Sequence, residues 1–260
     1  MRYFYLFLLA ITTLTACKRQ GNPQPVEDAP NSNITRIRYY FVDKTYFEAI
    51  YNYTPQGLLA NIAFRDSIGG VASTDKQYYT GLRLDSSVSV DKHNKAFNKN
   101  LYTYQGNKLS NIKHYEFNPA NNRMELYYDR TVTYNGSVLY KTSDANTYTD
   151  HDTYTIYTYT NGNVSEINIY KTSSNELLEH TIYEYDDKPN PYYNRPYTNR
   201  YNIINNKNNV TLDKLVYGKN RQPGQVRYQY TYNSQGYPLI QYIKSTGTKL
   251  IAEQEFFYNK

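Results

Sequence analysis

Histidines, paired carboxylates and a single thiol are the side chains through which this 260-residue chain could do chemistry, and the spacing of most of them argues against catalysis. His93, His114, His151 and His180 stand singly, and no two share a metal-ligand spacing of the His-x-x-x-His kind. In Asp150-His151-Asp152 an extended backbone would send both carboxylates to one side and the imidazole to the other, so the triplet reads as a solvated turn. Asp186-Asp187, just before Lys188-Pro189, reads as turn chemistry in place of an acid/base pair. Glu176 and Glu179 would share a face only if Ser173 to His180 were helical, and that segment reads equally well as a hairpin turn. Gly69-Gly70 lacks the context of a phosphate loop, and no Gly-x-Ser-x-Gly elbow occurs. The expectation is no metal, no catalytic residue and no bound cofactor, with a hydrolase as the least supported reading.

The thiol is different. Cys17 is the only cysteine, which rules out an intramolecular disulfide. It closes Leu14-Thr15-Ala16-Cys17, behind the apolar run Tyr3 to Ile11 and a positive start at Met1-Arg2. That run is far short of the ~20 residues of a spanning helix and reads as an export signal. Leu-Thr-Ala-Cys resembles the bacterial lipobox, which implies cleavage between Ala16 and Cys17 and a diacylglyceryl, palmitate-type anchor on the Cys17 sulfur. Residues 1–16 are then a signal peptide, and 17–33 the lipidated cysteine and a Pro- and Asn-rich tether. Lys18, not Asp, follows the anchor, which implies the outer membrane. Lys18-Arg19-Gln20 lacks an acidic export run, so the periplasmic face is favoured over the cell surface.

The elements that would position any site are set by aromatic residues. Thirty-four tyrosines, nine phenylalanines and no tryptophan accompany a low mean hydropathy. Disordered chains are poor in aromatics, so this one folds, and tyrosine suits a pleated sheet with its ring packed and its hydroxyl wet. Ile156-Tyr157-Thr158-Tyr159, then Asn161-Gly162, then Val164-Ser165-Glu166-Ile167 reads as strand, turn and strand. Leu101-Tyr102-Thr103-Tyr104 through Gly106 to Leu109-Ser110-Asn111-Ile112 repeats it. Ile50-Tyr51-Asn52-Tyr53 with Gly57 and Leu59, and Tyr230-Thr231-Tyr232 with Gly236 and Leu239, are looser copies. A simple register sets Tyr159 against Val164 and Ile156 against Ile167, giving each hairpin one aliphatic and one tyrosine face.

Tyrosines 53, 104, 134, 159, 185 and 232 are spaced by one or two periods of roughly 25 residues, about two strands each. The fold class expected is all-β: an antiparallel meander of repeated hairpins, about ten to fourteen strands, forming a large, twisted, curled or partly closed sheet over residues 34–260. A long polar loop at 187–209 interrupts it. Tyr51-Asn52-Tyr53 with Gly57, and Tyr230-Thr231-Tyr232-Asn233-Ser234-Gln235-Gly236, resemble the tyrosine-aspartate (YD) repeats of the Rhs family. Tyr183-Glu184-Tyr185-Asp186-Asp187-Lys188-Pro189 in a lipobox-bearing chain resembles uncharacterised Bacteroidetes-type lipoproteins with such repeats. That resemblance implies a β-meander in the envelope and no assigned activity. The chain is too short for the closed cocoon of large Rhs proteins.

A formal charge of +6, scattered without a basic block, excludes a nucleic-acid partner. What remains is a non-enzymatic cell-envelope lipoprotein, a binding or assembly module whose tyrosine-rich sheet meets an envelope protein. The alternative is an outer-membrane glycan binder. The candidate binding surface is Tyr192, Tyr193, Tyr197 and Tyr201 in the long loop.

Overall fold

The computed structural model describes residues 33–41, 43, 45–146, 152–193, 204–244 and 250–259. Ala16, Cys17, the tether up to Ser32, Asp150, His151, Tyr197 and Tyr201 lie outside the described residues. The described chain is β throughout: β1 (Ile34–Tyr40), β2 (Tyr46–Tyr53), β3 (Leu59–Arg65), β4 (Val71–Thr80), β5 (Arg83–Asp91), β6 (Ala96–Gln105), β7 (Lys108–Asn118) and β8 (Arg123–Asn135) form the first half. β9 (Val138–Asn146), β10 (Thr153–Thr160), β11 (Asn163–Lys171), β12 (Leu177–Pro189), β13 (Asn208–Gly218), β14 (Gly224–Tyr232), β15 (Pro238–Lys244) and β16 (Leu250–Tyr258) form the second. Ser173 to His180 is a turn leading into β12, not a helix.

Every strand pairs antiparallel with its neighbours in sequence, and β1 also pairs with β16, so the sheet is a closed barrel of sixteen strands. This corrects the expected curled or partly closed sheet of about ten to fourteen strands. An open meander leaves two edges of unpaired backbone, and a twisted sheet this long removes both by joining first strand to last. The strand count fell short because two repeats are disguised. Tyr79 follows Gln77 and Tyr78, and Tyr258 follows Phe256 and Phe257, so neither shows a Tyr-x-Tyr signature. The step from Tyr53 to Tyr104 thus spans two repeats, whereas that from Tyr185 to Tyr232 is one repeat carrying the long insertion.

Turn chemistry places the hairpins. Asn161 and Gly162 adopt φ of 54° and 81° between the closing pair Thr160 and Asn163, the both-positive turn that Asn-Gly favours. A bulge follows each such turn and alters the register read from sequence. Tyr159 does face Val164, but the ladder then slips, so Tyr157 faces Ile167 and Ile156 faces Asn168. Likewise Tyr102, not Leu101, faces Ile112. The extra residue turns both tyrosines onto the face of Val164 and Ile167 and leaves Ile156 on the other face, across from Asn168 and Lys141.

The same bulge recurs eight times, pairing Tyr53 with Leu59, Tyr79 with Leu84, Tyr104 with Leu109, Tyr134 with Leu139, Tyr159 with Val164, Tyr185 with Val210, Tyr232 with Pro238 and Tyr258 with Ile34. These pairs circle the barrel near one end. Five of these tyrosines bond a backbone carbonyl through the hydroxyl. Tyr53 donates to the Ile34 carbonyl at 2.8 Å, Tyr79 to Leu59 at 3.0 Å, Tyr104 to Leu84 at 2.9 Å, and Tyr258 to Pro238 at 2.8 Å. Tyr185 donates to Val164, and Tyr230 rather than Tyr232 donates to Val210. Each acceptor is the residue where the preceding bulge interrupts the ladder, so one hairpin satisfies a carbonyl that its neighbour's geometry strands. Phenylalanine could fill the space but could not make this bond, which accounts for tyrosine at these six positions.

The face that carries these tyrosines is turned into the barrel. Ile34, Ile37, Ala49, Tyr51, Leu59, Ile62 and Phe256 form one buried cluster on β1–β3 and β16, and Leu109, Ile112, Val132 and Leu139 another on β7–β9. The β12–β13 connection touches both, with Tyr192 against the first and Ile204 against the second. It is tied down by the Asn190 amide on the Lys207 carbonyl (2.8 Å) and the Val164 amide on Asn206 (2.8 Å).

The outer face mixes charged and polar groups with apolar ones, such as Ile50, Leu101, Ile156 and Ile182. Arg38 meets Glu48 at 2.9 Å and Glu255 at 3.2 Å on β1, β2 and β16, and Asn52 bonds Asn61 across β2 and β3. Lys113 lies 3.6 Å from Asp129, His180 3.4 Å from Glu166, and Arg227 3.6 Å from Glu184.

Candidate functional site in the barrel lumen

The hairpin repeat supplies a reference for reading the lumenal wall. Opposite the first tyrosine of the unit stand Ile62, Ile112 and Ile167 in three hairpins, facing Tyr51, Tyr102 and Tyr157. At the same place other hairpins carry Ser87, Thr142, Asp213 and Gln241. A polar residue where the repeat calls for an aliphatic is a departure that packing does not explain.

Two arcs of the wall depart, in different ways. On β5–β9 the polar groups satisfy one another. Ser87 Oγ lies 3.1 Å from the Tyr102 hydroxyl and accepts from Asn100 at 3.0 Å. Asn100 Oδ1 is 2.7 Å from His114 Nδ1, and His114 Nε2 is 3.2 Å from Glu116. The His114 ring stacks on Tyr128 at 4.8 Å, and Arg130, also over Tyr128, forms a two-pronged pair with Asp144 at 2.6 and 2.7 Å. The Ser87 hydroxyl meets Asn100 and Tyr102, and the His114 ring lies one residue further along, so this is not a nucleophile and base in contact. A buried network of this kind gives rigidity and a unique register; at its edge Gln77 Oε1, across from Ser87, is buried with no donor among the described residues.

The arc on β12–β16 is not closed on itself. Gln241, nine-tenths buried, donates through Nε2 to the Tyr230 hydroxyl at 2.8 Å, and that hydroxyl donates to the Val210 carbonyl at 2.7 Å. Gln241 Oε1 and Glu253 Oε2 are buried with no donor among the described residues. Glu253 is the residue left out of the ladder where β15 and β16 slip between the Gln241–Gln254 and Tyr242–Ala252 pairs, so a bulge delivers its carboxylate to the wall. Burial pushes the Glu253 carboxyl up from its ordinary value, and burial also raises Asp213, partly offset by Arg221. Both carboxylates act on Tyr228, which burial and their charge push up to about 12. Tyr183 and Tyr230 are raised in the same direction, by burial first and the nearby carboxylates after. The wall offers acceptors and negative charge beside aromatic faces, with little to answer them.

The residues singled out from sequence are dispersed. Tyr192 packs inside against the β1–β3 cluster and shares hydroxyl hydrogen bonds with Tyr39 and Tyr51, so its ring is part of the interior and not an outward platform. Tyr193 is half-buried beside it. His93 is in the exposed β5–β6 turn, and His180 is on the outer wall beside Glu166. Asp152 caps the Asn146 amide at 3.0 Å. Asp186 does act in local backbone chemistry, accepting from the Lys188 and Asn209 amides at 3.0 Å each and from the Tyr232 hydroxyl. Glu176 and Glu179 pair with Lys219 and Arg221. Among the described residues no group of three or more His, Cys, Asp or Glu could hold a metal ion. Gln241 and Glu253 were not singled out from sequence. The signal was the repeat itself, once aligned through its bulges.

No protein-family profile and no curated protein matches the sequence. Among solved structures the chain is similar to a porin-like protein from Bacteroides vulgatus ATCC 8482, at 12% identity and a TM-score of 0.55, over 88% of this chain and 99% of that one. A porin-like protein from Bacteroides uniformis ATCC 8492 is similar at 11% identity and a TM-score of 0.50, with the same coverage. The likeness is one of fold.

Proposed function

We propose that this chain is a non-enzymatic envelope lipoprotein, a binding module whose barrel stands in water on an acylated tether and takes its ligand in the lumen. The carrying observation is the outer wall. Most strands have nine or more residues, the ~9–11 that a strand needs to cross a bilayer, while β1, β3 and β15 have seven, so length does not decide the matter. Chemistry does. A lipid-facing wall carries an apolar band, and each Arg or Lys at its middle costs about 2–4 kcal/mol. Here Arg38, Lys113 and Arg227 with their acidic partners stand on the outside and interrupt its apolar residues, among them Ile50, Leu101, Ile156, Ile182 and Ile240, so that no charge-free apolar band runs past them. The likeness to porin-like proteins of Bacteroides supports the barrel architecture, and Leu14-Thr15-Ala16-Cys17 supports attachment through lipid.

Metabolic labelling with an alkynyl fatty acid, followed by envelope fractionation, tests the reading. Label on the native chain in the outer-membrane fraction, absent from Cys17→Ser, is expected. A native chain without label would refute the tether.

A further inference from the structure

We infer that the β13–β16 arc of the lumen binds an organic ammonium ion, an alkylamine or polyamine, between the Glu253 carboxylate, Gln241 Oε1 and the faces of Tyr228 and Tyr230. The inference rests on the reading of the barrel as a ligand-binding module and names the ligand class. Three observations select it. Gln241 Oε1 and Glu253 Oε2 are both acceptors, both buried and both without a donor among the described residues, so the missing partner donates hydrogen bonds. Gln241 already uses its own donor on Tyr230, which fixes the amide with its oxygen turned away from that bond. Glu253 makes no ion pair among the described residues, in contrast to Asp144, which is clasped by Arg130, and to Glu48 and Glu255, which share Arg38. A buried carboxylate left this way favours a cation.

The aromatic faces narrow the class. Tyr228, Tyr230 and Tyr232 alternate inward along β14, Tyr230 and Tyr232 lie with ring centroids 5.9 Å apart, and Asp213 acts on Tyr228 from the next strand. Tyrosine faces attract ammonium groups through the ring quadrupole, and the attraction grows as water is excluded. A hard divalent metal would instead need six or more oxygen ligands. An anionic ligand would meet Glu253 and Asp213 head on. A neutral sugar could donate to Gln241 but would leave the Glu253 charge unanswered.

The test is titration calorimetry on the full-length acylated protein in detergent, with cadaverine and spermidine as probes and maltohexaose as the neutral comparator, at physiological ionic strength. Saturable amine binding that falls tenfold or more in Glu253→Gln and in Gln241→Leu, and is unchanged in Glu166→Gln on the outer wall, is expected. Thermal melts of each variant separate loss of binding from loss of fold, and Glu253→Gln preserves shape. Absence of saturable amine binding, equal binding by Glu253→Gln, or binding of maltohexaose in place of the amines would each overturn the inference. Any of these in a folded, acylated chain removes the ligand class alone. Loss of the fatty-acid label removes the tethered module beneath it.

Discussion

Arg38 on the first hairpin and Glu255 on the last strand lie 3.2 Å apart across the seam where the barrel closes. The same guanidinium bonds Glu48 at 2.9 Å on its other side and stacks over Tyr46 at 4.6 Å, so one side chain joins β16, β1 and β2. The Tyr40 hydroxyl adds a 2.9 Å bond to Glu255. Each partner is only partly exposed, and the pairs are hydrogen-bonded as well as charged. Arg38→Ala is expected to lower stability by about 1–2 kcal/mol in urea unfolding, and Arg221→Ala, whose pairing is far more exposed, by under about 0.5 kcal/mol. Equal effects would show that closure does not depend on this clamp.

The ring of tyrosine hydroxyls makes a second expectation. Tyr79→Phe or Tyr104→Phe keeps the ring and removes the donor, leaving a carbonyl at Leu59 or Leu84 without it. A loss of about 1 kcal/mol for each is expected from chemical denaturation, against no change for Tyr78→Phe, whose side chain is exposed. Indifference at Tyr79 and Tyr104 would mean that water replaces the phenol there.

Much of this architecture was legible from residues, and what was hidden has an identifiable cause. Asn161-Gly162 announced its turn, and Tyr-x-Tyr announced its strands. Closure was not legible, because a meander has the same local pattern whether its ends meet or not. The faces were misassigned by a single residue per hairpin: the bulge at Tyr159 and Val164 moves Ile167 from opposite Ile156 to opposite Tyr157. The Asp186 turn chemistry could be read locally, whereas the Gln241 and Glu253 pair depends on another bulge and on neighbours far along the chain.

Alkaline pH is expected to unfold the barrel earlier than an ordinary sheet. Burial pushes Tyr79, Tyr102 and Tyr228 up to about 12. Unfolded tyrosines titrate near ~10, so the folded state holds these protons more tightly, and the stability it gains is intact below about pH 10. It is lost as pH rises through the folded values. Urea midpoints and tyrosinate absorbance followed together should stay level up to about pH 10 and fall beyond it. A midpoint unchanged well above that pH would contradict the buried phenols.

Glu253 carries the opposite kind of test. Its raised carboxyl makes the folded state bind a proton that the unfolded chain releases, so the group costs stability as pH climbs through its folded value. Glu253→Gln is expected to raise the melting temperature at neutral pH, with the gain vanishing below about pH 4, where the acid is neutral in both states. A variant less stable than the native chain at neutral pH would show that Glu253 has a structural partner. A residue retained against stability is what a binding role requires.

The position of the barrel relative to lipid underlies the whole functional reading, and one measurement addresses it. The Cys17→Ser chain, purified without detergent, can be mixed with phospholipid vesicles and floated on a density gradient, with circular dichroism taken on each fraction. A monodisperse β-rich protein left at the bottom of the gradient is the result expected of a water-standing barrel. A chain that folds only in micelles, or that rises with the vesicles as an inserted barrel, would contradict it.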